Sequence, residues 1–120
     1  MALNDTLLNI GANAMAGAAL YLSLHTAAPD GTGSNHSTAA RVAASWPGAS
    51  GGDLTISNKA FTGGAASGAC THVGFWSTAG TGSPATGGTF YGFQALSGDQ
   101  NFNAAGEYTI TSLVVNGSST

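Results

Sequence analysis

The spacing of apolar residues changes near residue 18, so the chain carries two kinds of pattern. Between residue 3 and about residue 17, Leu7, Leu8 and Met15 recur at helical spacing and fall on one face. Asn4 precedes this segment and is a favourable N-cap, because its side-chain oxygen accepts a hydrogen bond from the first turn. The pattern predicts a short N-terminal helix whose apolar face needs another surface to lie on.

Beyond residue 18, apolar and polar residues alternate in short runs, which is typical of half-buried β-strands. In the first run Leu20, Leu22 and Leu24 fall on one side, and the residues between them fall on the other. The runs predict strands at residues 20–26, 40–46, 54–57 with 59–61 as a continuation, 70–76, 89–95 and 107–115. Six short strands behind one helix predict an all-β fold, an antiparallel β-sandwich of jelly-roll or immunoglobulin type.

One domain is the expected organisation, because 120 residues are enough for a single core and too few for two. We expect an N-terminal helix or docking segment at residues 1–17, the sandwich at 18–115 and a polar tail at 116–120. The start of the chain lacks the basic region of a secretory signal, and its longest apolar run is too short to span a membrane. Neither secretory export nor a transmembrane segment is therefore expected.

Large side chains are scarce, so the core is expected to depend on a few aromatic residues. These are Trp46, Phe61, Phe75, Phe90, Phe93 and Tyr108. In the strand at residues 70–76, Val73 and Phe75 are predicted to point inward, with His72 and Trp76 on the opposite face. In the last strand, Tyr108, Ile110 and Val114 are predicted to share one face.

Charge is the most unusual feature of the composition. The chain has 2 Lys or Arg and 5 Asp or Glu, a charged fraction of 6%, where soluble domains have roughly 25%. Two cations cannot supply the phosphate contacts of a nucleic-acid-binding protein or a polybasic membrane patch. Because charge normally keeps protein surfaces apart, we expect much of this surface to be covered by partners or by copies of the chain itself.

Candidate catalytic and metal-binding residues are few. Asp30, Asp53 and Asp99 stand beside glycines in predicted turns, where Asp caps its own backbone, so we expect no catalytic carboxylate pair. Cys70 and His72 would share a strand face, but we interpret them as a core thiol beside a strand-face histidine. The sequence thus predicts no disulfide, no metal site, no cofactor and no enzymatic activity.

Two weaker motifs leave other functions open. Residues 48–52 match the G-x-S-x-G pattern with Ser50 at its centre, but that motif acts at a strand-to-helix turn of a parallel α/β sheet, which is not expected here. A small hydrolase is therefore the least favoured alternative. Trp76, Tyr91 and Phe93 could instead line the face of a carbohydrate-binding module, which would require Trp76 and Tyr91 to be exposed together.

Several segments resemble a family of small bacteriophage virion proteins. The resemblance runs from LYLSLHTAAPDGTGSN at residues 20–35 through THVGFW at 71–76 and GGTFYG at 87–92 to the last strand. Ala28 stands where that family usually has an acid before Pro29, and His36 stands where a Glu often follows the Asn. The resemblance implies a phage structural protein of the head or tail.

We therefore expect a non-enzymatic virion component. The first expectation is a capsid decoration or minor capsid protein, assembled in the host cytoplasm, that binds and reinforces the shell; a minor tail or baseplate protein is the alternative. Its partners would be the major capsid protein, or tail proteins, and copies of itself, with a trimer as the expected cluster. The helix would supply the assembly interface through Leu3, Leu7, Leu8 and Met15.

Overall fold

The computed structural model describes residues 4–116 and has two antiparallel sheets and one short helix. The elements are α1 (Asp5–Ala18), β1 (Tyr21–His25), β2 (Val42–Ala43), β3 (Asp53–Phe61), β4 (His72–Trp76), β5 (Phe90–Ala95) and β6 (Tyr108–Asn116). One sheet has the strand order β2-β1-β4-β5, and the other pairs β3 with β6. The predicted fold class, an antiparallel sandwich-like fold with one short helix, is confirmed.

The core contains side chains from both sheets. Leu22 and Leu24 of β1 and Val73 of β4 are fully buried in it, as is Cys70 just before β4. The other sheet contributes its own aliphatic and aromatic residues, namely Ile56, Phe61, Tyr108, Ile110 and Leu113. No helix within residues 4–116 is long and apolar enough to cross a membrane.

The predicted aromatic core is only partly correct. Phe61, Phe75 and Tyr108 are buried in the core, and Trp46 packs against it. Phe93 was wrongly placed in the core, since 46% of its surface is exposed. Phe90 was also misplaced: it is half-buried on the other face of its sheet, 5.0 Å from the ring of Trp76 between centroids.

Strands β3 and β6 change the face they bury partway along their length. Ile56 and Phe61 are both buried although an even number of residues lies between them, which under simple alternation would place them on opposite faces, and the same holds for Ile110 and Leu113. Asn58, at the change in β3, has a left-handed backbone with φ of 56°. The strand pair therefore does not follow simple alternation, and the prediction that Val114 shares one face with Tyr108 and Ile110 was wrong, since Val114 is exposed and the other two are buried.

Two predicted strands also differ in extent. The run at 40–46 forms only the two-residue strand β2, because Ser45 has a left-handed φ of 50° that ends the extended backbone. Leu20 precedes β1 and is 47% exposed, so its predicted place beside Leu22 was wrong.

The helix is capped as predicted, and two of its asparagine side chains bond it to the turn before β3. Asn4 Oδ1 accepts a hydrogen bond from the backbone N–H of Leu7 at 3.0 Å. The side-chain oxygens of Asn9 and Asn13 accept hydrogen bonds from the backbone of the 49–52 turn, at 2.8 and 3.0 Å. Only Ala12 of the helix is buried, so most of its apolar side chains stay accessible.

Candidate functional site

The predicted assembly residues lie along one apolar groove, insofar as the structure describes them. Leu8 and Met15 are half-buried and Leu7 is 49% exposed, while Leu3 lies outside the described residues. The groove has a volume of about 460 Å³ between α1 and the strand pair β3–β6, where Leu54 and Val115 line it with these helix residues. The structure thus brings Leu7, Leu8 and Met15 together at one surface.

Ile10 belongs to the same surface and was missed. It lines the groove and is 61% exposed, more than any other large hydrophobic residue in the described part of the chain. Its spacing of three residues from Leu7 was the available signal. We call Leu7, Leu8, Ile10 and Met15 the apolar helix face; an exposed apolar surface of this kind is typical of an interaction site.

A second cluster lies on the opposite face of the four-stranded sheet. Alternation places Ser23 and His25 of β1 away from the core, yet both are fully buried. They are covered because residues 26–41 fold back over the sheet, where His36 forms a β-bridge with His25 and their rings lie 5.1 Å apart. Trp76 of β4 closes the cluster and is 6% exposed.

The hydrogen bonds fix which nitrogen of His25 carries the proton. Nδ1 lies 2.8 Å from the carbonyl oxygen of Ser34, which only accepts, so Nδ1 donates. Nε2 then accepts from the Ser23 hydroxyl at 2.6 Å, and Ser23 Oγ in turn accepts from Trp76 Nε1 at 2.8 Å. A neutral His25 ring therefore leaves every polar atom in this chain of contacts paired, and burial, which lowers the pKa of His25 to about 4, favours that form.

Arg41 lies over this network and ties two loops together. Its guanidinium lies 3.6 Å from the centroid of the Trp76 ring and is bonded only to neutral acceptors. Nε donates to His36 Nε2 at 3.2 Å, and the terminal nitrogens donate to the carbonyl oxygens of Thr78, Ala85 and Gly87. We call Ser23, His25, His36, Arg41 and Trp76 the outer-face clamp.

Two close-packed glycines make room for the clamp. A Cβ on Gly74 would lie 2.6 Å from both His25 Nε2 and Ser23 Oγ, and one on Gly33 would lie 2.5 Å from the Trp76 ring. Gly33 also has a φ of 79°, which side chains rarely adopt. Positions 33 and 74 therefore need glycine, because the side chains of the clamp occupy the space that a Cβ would fill.

Ser23, His25 and the Ser34 carbonyl have the order of a nucleophile, a base and an orienting group. Ser23 and His25 have no exposed surface, however, so a substrate cannot reach the hydroxyl in this structure. The arrangement is a structural network that holds the loop at residues 26–41 on the sheet. The other candidate nucleophile, Ser50, precedes a tight turn into β3 rather than a helix, so it does not form the elbow that the motif requires.

Burial controls the protonation of the buried groups. It lowers the pKa of His25 from 6.5 to about 4, and it also lowers the pKa of His36. Burial raises the pKa of the Cys70 thiol to about 12, so this cysteine is an unreactive core residue. Hydrogen bonds from Thr32 hold the pKa of Asp30 below its usual value, which agrees with its predicted role as a turn cap.

The comparisons with known proteins identify the family. A model described as Podophage GP4 fiber I protein gp80 matches residues 2–116. The chain belongs to this family. It is therefore a structural protein of a bacteriophage virion, and the resemblance noted in the sequence is confirmed. No curated protein and no solved structure matches the chain.

Other predicted residues of this phage protein lie apart from one another. Cys70 is in the core, whereas the ring of His72 lies 5.6 Å from Phe93 at the sheet surface, so their predicted shared face was wrong. Tyr91 is 52% exposed, but Trp76 is buried under Arg41, and the exposed aromatic pair of a carbohydrate-binding face does not form. Within residues 4–116, no cluster of three His, Cys, Asp or Glu residues could hold a metal ion.

The two positions at which the sequence departs from the resemblance lie in different surroundings. Ala28 is exposed, and its carbonyl oxygen accepts a hydrogen bond from the side chain of Asn35 at 3.1 Å. His36 belongs to the outer-face clamp, where its ring accepts a hydrogen bond from Arg41.

Proposed function

We propose that the protein is a subunit of a virion fibre, attached to its neighbours through the apolar helix face. The family description names a fiber protein, and this supports the fibre over the shell. The observation that carries the attachment surface is the exposure of Leu7 and Ile10 beside an apolar groove. Within residues 4–116, by contrast, every buried side-chain nitrogen and oxygen has a hydrogen-bond partner.

The energy available at this surface suits an assembly of several copies. Covering a half-exposed Leu or Ile side chain contributes about 1–2 kcal/mol, so Leu7 and Ile10 alone give a weak contact. Several weak contacts made together increase the strength of attachment through avidity. Copies of the same chain and tail proteins are therefore the proposed partners, with the trimer expected from the sequence as one arrangement.

Capsid decoration is the second candidate function. The described residues form one body with principal extents of 45 × 28 × 22 Å, without fibrous repeats, and the chain has few charges. Those two properties also suit a protein that binds the major capsid protein at many equivalent sites. The surface invoked is again the apolar helix face.

Copy number separates the two placements. Purified virions would be digested and this chain quantified by mass spectrometry against the major capsid protein, with labelled peptides of both as standards. The fibre proposal predicts single digits to low tens of copies per particle. A count in the hundreds would replace it with capsid decoration, and absence from virions would contradict both proposals.

The position of the protein on the particle provides an independent check on its copy number. Antibody labelling of intact particles, viewed by electron microscopy, should place the label on the tail structures and leave the shell bare. Particles from a phage that lacks the gene serve as the negative control. Label distributed over the shell would contradict the fibre proposal regardless of copy number.

A further inference from the structure

We propose that the outer-face clamp is an acid-sensitive latch, in which protonation of His36 and His25 releases the loops at residues 26–41 and 77–89 from the sheet. The proposal concerns the fold itself and does not depend on where in the virion the protein lies. It follows from the directions of the hydrogen bonds, because neither histidine can carry a second ring proton without the loss of an existing hydrogen bond.

His36 is in direct conflict with Arg41 when it is protonated. Its Nδ1 already donates to the Ser37 carbonyl oxygen at 2.7 Å, and its Nε2 accepts from Arg41 Nε at 3.2 Å. A proton on Nε2 would place N–H against N–H and a second positive charge beside the guanidinium. The contact between His36 and Arg41 must then open.

His25 meets a similar conflict at Ser23. A proton on Nε2 would turn the Ser23 hydroxyl from donor to acceptor, while Trp76 Nε1 already donates to the same oxygen. Ser23 would need a new acceptor for its own proton, and in the described part of the chain its oxygen has no other hydrogen-bond partner. Because Ser23 is fully buried, water does not supply one without an opening of the cluster.

The groups that surround the two rings do not favour an added positive charge. His25 faces His36, His72 and Arg41, and His36 faces Arg41, all of which disfavour protonation, as burial does. The carbonyl oxygens of Ser34 and Ser37 act in the other direction but are already paired with the Nδ1 protons. Asp30, in the same loop, has a pKa held below its usual value by hydrogen bonds from Thr32, which favour its charged form.

Opening of the clamp affects both loops because Arg41 bonds across them. Its guanidinium holds the carbonyl oxygens of Thr78, Ala85 and Gly87, so its displacement leaves the 77–89 loop without these charge-assisted bonds. The bond from Ser83 Oγ to the Thr38 carbonyl oxygen, 2.9 Å, joins the same two loops. The β3–β6 pair has none of these contacts and should stay closed.

Hydrogen–deuterium exchange tests the latch on the full chain, because it reports each segment separately. Exchange would be measured at about pH 7 and about pH 4, with rates corrected for the intrinsic effect of pH. In the wild-type protein we expect protection in residues 31–41 and 78–87 to fall about tenfold or more at the lower pH, with β3 and β6 unchanged. Unchanged loop protection at about pH 4 would overturn the proposal.

The three histidines of the chain provide a matched set of variants. In the double variant His25→Gln, His36→Gln, neither side chain titrates, and the amide oxygen introduced at position 36 can still accept from Arg41. Loop protection in this variant should therefore be the same at both pH values. His72→Gln, outside the clamp, should open like the wild type. Opening in the double variant, or loss of opening in His72→Gln, would contradict the latch.

A measurement on the wild type keeps the test decisive if the double variant does not fold. Histidine ring signals and loop amide signals would be followed by NMR through the same pH range. The latch predicts that the loop amide signals change together with the ring signals of His25 or His36. A loop midpoint that coincides with that of neither histidine would overturn it.

Discussion

The outer-face clamp and the apolar helix face differ in the kind of side chain that each buries or exposes. On the outer-face clamp, the polar or charged side chains of Ser23, His25 and Arg41 are buried, and the Arg41 guanidinium donates its hydrogen bonds to neutral acceptors. On the apolar helix face, large aliphatic side chains are exposed with a groove beside them. The first face holds the fold together, and this contrast supports our proposal that the second face serves assembly.

The buried polar groups of the clamp all have hydrogen-bond partners, whereas the apolar side chains of Leu7 and Ile10 on the helix face are exposed to water. No buried side-chain nitrogen or oxygen within residues 4–116 lacks a hydrogen-bond partner, so the clamp gains nothing from a further protein. Leu7 and Ile10 contribute favourable burial energy only when another surface removes their side chains from water. Variants on the two faces should therefore separate stability from assembly.

The largest effect on stability is expected from Arg41→Ala. Removal of the guanidinium leaves His36 Nε2 and three carbonyl oxygens without their donor in a buried site, which should lower the free energy of unfolding by about 3 kcal/mol. Chemical denaturation measures the change. Lys59→Ala is the matched control, since Lys59 makes one exposed hydrogen bond to the Ala43 carbonyl oxygen. An equal loss of unfolding free energy in both variants would contradict the stabilising role of the clamp.

Gly74→Ala should have the next largest effect. The added methyl group would lie 2.6 Å from two atoms of the clamp, and overpacking of this kind costs about 2 kcal/mol. Gly48→Ala is the control, because a Cβ there has open space around it. Denaturation curves of the two variants that coincide would mean that the clamp is loosely packed.

The stability should also depend on pH through the clamp. The pKa of His25 is about 4 in the folded chain and 6.5 as its ordinary value, so between these pH values the unfolded chain binds the proton more strongly. The folded state is then fully stable above about pH 6.5 and loses stability as the pH falls toward about 4, by about 2 kcal/mol after allowance for solvent screening. Denaturation at a series of pH values measures this slope, and a flat profile would contradict the buried neutral histidine.

The smallest effect on stability is expected on the helix face. Ile10→Lys replaces a side chain that is 61% exposed, so the free energy of unfolding should change by about 0.5 kcal/mol or less. The same denaturation assay measures it. A loss as large as that of Arg41→Ala would mean that the helix face belongs to the core of the monomer.

Sequence reasoning predicted the elements that local pattern determines. Asn4 as the N-cap and the inward facing of alternate residues in β1 and β4 are properties of neighbouring residues. The structure has this cap, and the residues predicted to face inward in these two strands lie in the core, namely Leu22, Leu24, Val73 and Phe75. The burial of Ser23 and His25 was not predictable in this way, because it depends on a loop that returns from more than ten residues away. A polar residue on an alternating strand gives no signal of such a cover.

The candidate sites were predictable to different degrees for the same reason. Leu7, Leu8 and Met15 were identified from helical spacing alone, and Ile10 could have been added by the same rule. Arg41 contacts backbone carbonyl groups at residues 78–87, and no local motif marks such acceptors. In β3 the large apolar residues move from even positions, Leu54 and Ile56, to the odd position of Phe61, and the left-handed Asn58 lies between them.

Incorporation of Ile10→Lys into virions tests the central claim most directly. Phage carrying this variant would be purified, and copies per particle compared with those of the wild type and of Tyr91→Lys, which changes an exposed residue away from the groove. The account predicts that Ile10→Lys folds normally but is lost from virions, while Tyr91→Lys is incorporated at the wild-type level. Normal incorporation of Ile10→Lys would contradict the assignment of the helix face to assembly.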